Sequence, residues 1–170
     1  MTSEIPRDIR YATTNNFTHQ KLYDSADCYL RPDTARKLTE AAKDAQRLGY
    51  RLKVFDCYRP LSIQRRMWEI VHDDRYVADP AKGSRHNRGA AVDLTMTRAD
   101  GSEIPMPTPY DEFSEKAHRD YTNLSKEALD DRRLLEEILQ RHGFVGLPTE
   151  WWHFDDAEWQ KYAVLDERIP

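Results

Sequence analysis

Ala90-Ala91-Val92-Asp93-Leu94-Thr95-Met96 reads as one β-strand whose two faces differ. Side chains alternate across a strand, so Ala90, Val92, Leu94 and Met96 form an apolar face suited to a core. Ala91, Asp93 and Thr95 form the opposite face, which is small and polar. A carboxylate in the middle of such a strand needs a partner. Upstream, His72 to Gly89 lacks periodicity and is rich in Asp, Lys, Gly and Arg, which marks an ordered loop. Downstream, Asp100-Gly101 marks a turn, with a hairpin return expected through Glu103 to Met106.

Further out, helical and strand patterns alternate. Pro32-Asp33 opens a helix with Asp33 as its expected N-cap, and Ala35, Leu38, Ala41, Ala42, Ala45 and Leu48 recur at helical spacing until Gly49 stops it. Tyr50 to Asp56 is a strand with Leu52 and Val54 on one face. After Pro60, Ser62 to Val71 forms a second helix, with Ile63, Met67, Ile70 and Val71 expected inward. A third helix, Ser125 to His142, is expected to bury Leu129, Leu134, Leu135, Ile138 and Leu139 before Gly143 ends it. Phe144 to Gly146 and Trp151 to Asp155 read as strands. Residues 1–30 are aromatic and polar with little periodicity, and are expected to wrap a core built by the later elements. With no repeat, low-complexity tract or linker, residues 1–170 are expected to form one domain. The fold class is α+β: a small, mostly antiparallel sheet with helices packed on one side.

Composition excludes several functions. The chain has 26 basic and 30 acidic residues and a formal charge of -4, without the basic stripe that nucleic acid or an anionic membrane requires. Short runs such as Arg65-Arg66 and Asp130-Asp131-Arg132-Arg133 read as solvated faces. No stretch approaches the roughly 18 apolar residues of a membrane span. Met1 to Phe17 contains no apolar core of a signal peptide, so the expected location is the cytoplasm. The two cysteines, Cys28 and Cys57, are expected as free thiols; a bridge between them would point instead to the periplasm.

Catalytic zinc takes three protein ligands from His and carboxylate and keeps a fourth position for water. His86, Asp93 and His153 could supply such a set from a loop and two strands. Glu150 lies close enough in sequence to take a proton from that water. Residues three apart on a regular strand point to opposite faces, so Glu150 is placed in the turn before the strand and His153 within it. Each residue also has an ordinary reading. His86 could be a surface histidine, Asp93 a strand carboxylate paired with an arginine, and Arg59 a plain ion-pairing residue. Glu150 and His153 could flank an aromatic cluster of Trp151, Trp152 and Trp159.

Three blocks taken together resemble a known family. Asp56-Cys57-Tyr58-Arg59-Pro60, Ser84-Arg85-His86-Asn87-Arg88-Gly89-Ala90-Ala91-Val92-Asp93-Leu94 and Glu150-Trp151-Trp152-His153-Phe154 are similar to those of the D-alanyl-D-alanine dipeptidases, the VanX-type zinc enzymes of cell-wall metabolism and vancomycin resistance. Tyr11 to Thr18 and Pro105 to Phe113 resemble further blocks in the same order. The resemblance implies one Zn2+ held by His86, Asp93 and His153, with Glu150 as general base and proton donor. It implies that Arg59 faces the tetrahedral intermediate and that Asp111 receives the amino group of a small peptide substrate, D-Ala-D-Ala. Ser84 and Tyr11 are placed near the substrate's carboxylate end.

Two departures bear on specificity. The segment between Arg59 and Ser84 is shorter than in the resistance enzymes, and the tail after His153 differs from their usual ending. A more open cleft would accept longer wall peptides. The competing readings are therefore a D,D-carboxypeptidase or peptidoglycan endopeptidase of the same fold, and a non-catalytic zinc-binding module.

Overall fold

The computed structural model describes residues 5–170. The expected N-terminal wrap can be followed from Ile5 onward, and residues 1–4 lie outside the described part. Three helices, α1 (Pro32–Arg47), α2 (Leu61–Ile70) and α3 (Lys126–Arg141), accompany four strands, β1 (Tyr50–Asp56), β2 (Ala91–Arg98), β3 (Phe144–Gly146) and β4 (His153–Asp156). The sheet order is β1-β2-β4-β3 and every pairing is antiparallel, so the fold is α+β as expected. Helices α1 and α3 pack together and against the sheet on one face.

Register decides what each face carries. Val92 lies opposite Phe154, and Leu94 opposite Val54, on the apolar helix-covered face. Asp93 lies opposite His153, and Ala91 opposite Asp155, on the other. Strand β1 changes sides as it ends. The pairing passes from Val54–Leu94 to Asp56–Asp93, a β-bulge that turns Asp56 onto the polar face. Without the extra residue, Asp56 would share the helix-covered face with Val92.

Strand β2 is buried on both faces rather than one, because residues 104–113 cross over its polar side. The hairpin expected there closes at the Asp100-Gly101 turn but pairs only through Thr97 and Glu103. Pro105, Pro107 and Pro109 remove the donors a longer ladder would need. The N-terminal segment does wrap the core, burying Ile5, Ile9, Tyr11 and Tyr23 and exchanging backbone hydrogen bonds with Val54.

Other local expectations are corrected. Helix α1 starts with Pro32 in its first turn and Arg31 at the cap, so Asp33 is not the N-cap but an acid in the first turn, where the helix dipole favours it. In α2, Met67 is buried and Ile63 and Val71 pack half-buried against the core as expected, but Ile70 is exposed and Gln64 turns inward to accept from the Arg59 guanidinium. Helix α3 is capped by Ser125, whose Oγ accepts from the Ala128 N–H. Arg132 is buried rather than solvated, its NH1 donating to the carbonyls of His118 and Tyr121.

Cys28 and Cys57 form a disulfide, contrary to the expected free thiols. The segment around Cys28 runs alongside the exit of β1, with the Tyr58 N–H donating to the Tyr29 carbonyl. This brings the two Cα atoms to 5.3 Å, within the range a disulfide requires.

Candidate metal centre and substrate cavity

Three side chains converge on the polar face of the sheet. His86 is in a 3-10 turn, His86–Arg88, closed by Gly89 in the left-handed region, and β2 follows directly. Asp93 and His153 are cross-strand neighbours on β2 and β4. His86 Nε2 lies 3.1 Å from Asp93 Oδ1 and 3.2 Å from His153 Nδ1, and the latter two atoms are 3.0 Å apart. Atoms bound about 2.0–2.1 Å from a single tetrahedral ion stand roughly 3.3 Å from one another.

The surroundings orient these atoms toward a shared cation. His86 Nδ1 donates to the Cys57 carbonyl at 2.6 Å, which leaves the Nε2 lone pair facing inward. His153 Nε2 faces Asp155 Oδ1 at 2.8 Å, and the Tyr110 hydroxyl donates to Asp93 Oδ2 at 2.7 Å. Asp93 Oδ1 and both inward nitrogens are therefore free for the centre. Electrostatics demand positive charge there. Burial alone would lower His153, but Asp155 and Asp93 on either side outweigh it and push its pKa up to about 10. Burial alone would raise Asp93, yet the two imidazoles hold it below the ordinary carboxylate range. A proton or a divalent metal answers that demand, and two imidazoles with one carboxylate form a donor set typical of catalytic zinc.

Glu150 reaches the same point through a turn. The His153 N–H donates to the Glu150 carbonyl, so residues 150–153 fold back and bring Glu150 Oε1 to 3.9 Å from His153 Nδ1. This is the placement expected from sequence: Glu150 before the strand, His153 within it. No donor among the described residues reaches the Glu150 carboxylate, and burial raises its pKa well above the usual range. Arg119 holds the turn from behind. Its Nε donates to the Leu147 carbonyl and its NH2 to those of Trp151 and His153, at 2.8–3.2 Å. Gly146 makes this possible, since a Cβ there would stand 2.3 Å from the guanidinium carbon.

Arg59 is buried and clamped. Its Nε and NH2 bind Asp56 Oδ2, and NH1 binds Gln64 Oε1 at 2.7 Å. Burial opposes its charge, but Asp56 more than compensates and keeps the guanidinium ionised. Asp111 takes a left-handed backbone, φ 61°, and its Oδ2 accepts from the Tyr11 hydroxyl at 2.5 Å. Burial raises the Asp111 carboxyl to about 8 against the pull of that hydrogen bond. Ser84 is buried beside His86, its Oγ accepting from the His86 N–H.

All eight residues singled out from sequence, Tyr11, Arg59, Ser84, His86, Asp93, Asp111, Glu150 and His153, line one cavity of about 260 Å³. Its roof is residues 74–78, tied down by Thr149 to the Arg75 carbonyl, by Gln64 to the Ala78 carbonyl, and by Tyr76 stacking on Phe113. His19, His72, His118 and His142 stay outside it.

A family model described as D-ala-D-ala dipeptidase, Peptidase M15, matches residues 1–170. The chain belongs to that family. It is 34% identical over 166 residues to the D-alanyl-D-alanine dipeptidase of Escherichia coli K12, covering 98% of this chain and 86% of the relative. Its identity to the D-alanyl-D-alanine dipeptidase of Enterococcus faecium is 29% over 184 residues, covering 96% and 87%. Among solved structures, VanYB in complex with D-alanine-D-alanine superposes with a TM-score of 0.52 at 18% identity, covering 78% of this chain and 74% of that one, a likeness of fold. The family is one of peptidases, so the cluster of His86, Asp93 and His153 fits a metal-dependent hydrolase.

Sequence reasoning missed Asp56, Gln64, Tyr110, Arg119 and Asp155, all of which hold the principal side chains in place. Asp155 was within reach: two residues beyond His153 on a strand, it had to share that face. Tyr110 and Arg119 arrive from loops whose path no periodicity announces.

Proposed function

We propose that the chain is a zinc-dependent dipeptidase that hydrolyses D-Ala-D-Ala, or a similar D-amino-acid dipeptide, in cell-wall metabolism. The observation that carries this reading is Glu150: a buried carboxylate without a donor among the described residues, 3.9 Å from one member of a three-atom metal cluster and lining a small cavity. A structural zinc site fills all four positions with protein atoms and has no use for such a base, which argues against a non-catalytic module. The Escherichia coli and Enterococcus faecium relatives carry the dipeptidase name, which supports the substrate.

His86, Asp93 and His153 would hold one Zn2+, which when bound polarises a scissile carbonyl and acidifies water. Glu150 takes the proton of the attacking water and returns it to the leaving amine. Arg59, immobilised by Asp56 and Gln64, stabilises negative charge developing on the carbonyl oxygen without exchanging a proton. Asp111 receives the substrate ammonium, whose charge restores the ionised carboxylate. Tyr11, expected near the carboxylate end, donates to Asp111 and so belongs with the ammonium end. Ser84 keeps its place toward the carboxylate end.

The cavity volume lies below the span usual for drug-sized ligands, which favours a dipeptide over a wall pentapeptide although the roof segment is short. The disulfide favours an oxidising compartment such as the periplasm over the cytoplasm expected from sequence. No helix among the described residues is long and apolar enough to cross a membrane.

The deciding experiment compares D-Ala-D-Ala, L-Ala-D-Ala and a wall pentapeptide, with and without chelator. Chelator-sensitive cleavage of D-Ala-D-Ala above the other two is expected. Faster release of D-Ala from the pentapeptide would replace this reading with a D,D-carboxypeptidase.

A further inference from the structure

Three arginines line the cavity, and two are anchored by hydrogen bonds to other side chains. Arg59 is held by Asp56 and Gln64, and Arg75 binds both oxygens of Asp73. Arg85 donates no side-chain hydrogen bond to any described residue, and its Nε is shut off from solvent without a partner. Asp155 Oδ2 approaches that Nε only to 3.8 Å, too far for a hydrogen bond, and the other oxygen of Asp155 is engaged by His153.

The Arg85 guanidinium is nevertheless fixed in place. It lies 4.3 Å from the centre of the Trp159 ring, and Arg88 approaches the same ring at 5.1 Å. Trp159 opens the 3-10 turn Trp159–Lys161 in the C-terminal tail. That tail is pinned to the loop before β2: Arg88 NH1 donates to the Tyr162 carbonyl, and the Leu165 N–H donates to the Asn87 carbonyl at 2.8 Å. A planar guanidinium stacked on an indole keeps its edge for a planar anion, and a carboxylate matches its paired N–H groups.

We propose that Arg85, seated on Trp159, is a specificity-determining residue that receives the C-terminal carboxylate of the substrate. The inference rests on the dipeptidase reading. Arg85 lies between Ser84 and His86 in sequence, on the side of the metal cluster where Asp155 backs His153. Asp111 and Tyr11 occupy the wall shared with Phe17. A cation and a carboxylate then line the same short cavity, and a dipeptide with both termini free can engage both. A blocked carboxylate would leave the Arg85 N–H groups unanswered.

The test compares D-Ala-D-Ala with its C-terminal amide in the zinc-loaded wild type, Arg85→Gln and Trp159→Leu, with zinc content and thermal stability measured for each. Wild type is expected to favour the free acid strongly. Arg85→Gln should raise KM for the acid roughly ten- to hundredfold, the scale of a lost charge-assisted hydrogen bond, with kcat within about threefold. Its preference for acid over amide should collapse. Trp159→Leu, which keeps the guanidinium but removes its seat, should shift KM in the same direction by less. If Arg85→Gln instead loses zinc, or lowers kcat equally on acid and amide, Arg85 acts through Asp155 on His153 and the proposal is overturned. An active variant that keeps the wild-type acid preference overturns it as well. Wild type that leaves the dipeptide uncut removes the dipeptidase reading itself, a distinct result that takes this proposal with it.

Discussion

The two faces of the sheet obey different physics. On the helix-covered face, Leu52, Val54, Val92, Leu94 and Phe154 are almost wholly buried among one another and the helices. That face gains from the burial of apolar area and close packing. On the opposite face, Asp56, Asp93 and His153 are just as buried but carry charge, and each needs a specific partner to be tolerated. Asp56 has Arg59 and Tyr23, while Asp93 and His153 have each other, Tyr110 and Asp155. Glu150 has no such partner among the described residues. One face stabilises the chain, and the other uses part of that stability to hold reactive groups poised.

The sharpest way to break this comparison is Glu150→Ala. Turnover of the dipeptide is expected to fall by about 10³–10⁴-fold, the contribution of a positioned general base. Thermal stability should stay equal or rise, because an unpartnered buried acid has been removed. Retained turnover would show the base to lie elsewhere.

Leu52→Ala is the converse. It should cost about 2–5 kcal/mol of unfolding free energy, measured in urea, while kcat per folded molecule stays within about twofold. Equal damage to stability and turnover would mean that the two faces are not separable.

The disulfide lies at the seam between them. It closes a segment whose ends are 29 positions apart, so Cys28→Ser with Cys57→Ser is expected to lose about 3–4 kcal/mol. The Cys57 carbonyl still orients His86 in that variant, and zinc affinity should change much less than stability.

Arg119→Lys sharpens the boundary from the other side. A single ammonium cannot serve three carbonyls in the geometry that the guanidinium does. Zinc affinity, read by chelator competition, should weaken about tenfold, the lower end for supporting residues around a metal.

The last effect is the pH dependence of Asp111. Its carboxyl, raised to about 8 in the folded chain against about 3.9 unfolded, contributes stability below pH 4 that is lost as pH rises through 8. Asp111→Asn should therefore match the parent in Tm near pH 4 and exceed it increasingly up to about pH 8. A Tm difference that does not vary with pH would place the carboxyl in an ordinary solvated setting.

Much of this was legible because it was periodic or local. The alternation of Ala90 to Met96 told which side of β2 would be apolar, and spacing identified α1 and α3. Strand alternation, with Pro148 and the aromatic run Trp151-Trp152-His153-Phe154 favouring a strand over a helix, put Glu150 in a turn before His153. The bulge at the end of β1 was not legible, since Val54-Phe55-Asp56 carries no mark of the extra residue. Nor was the burial of Gln64 at an inward helix position, which depends on a guanidinium from another element. The cysteine pair was misread because composition speaks of compartments and not of Cα separations. Arg119 reaches its carbonyls from a loop, where pattern carries no direction.

Gly146 has a consequence for anyone who would redesign this enzyme. The hydrogen atom it carries in place of a methyl group is the doorway through which the Arg119 side chain passes. Positions 119 and 146 are therefore coupled within one chain, because a side chain at 146 displaces the guanidinium that braces the turn. Only joint variation could discover a different brace for the catalytic turn.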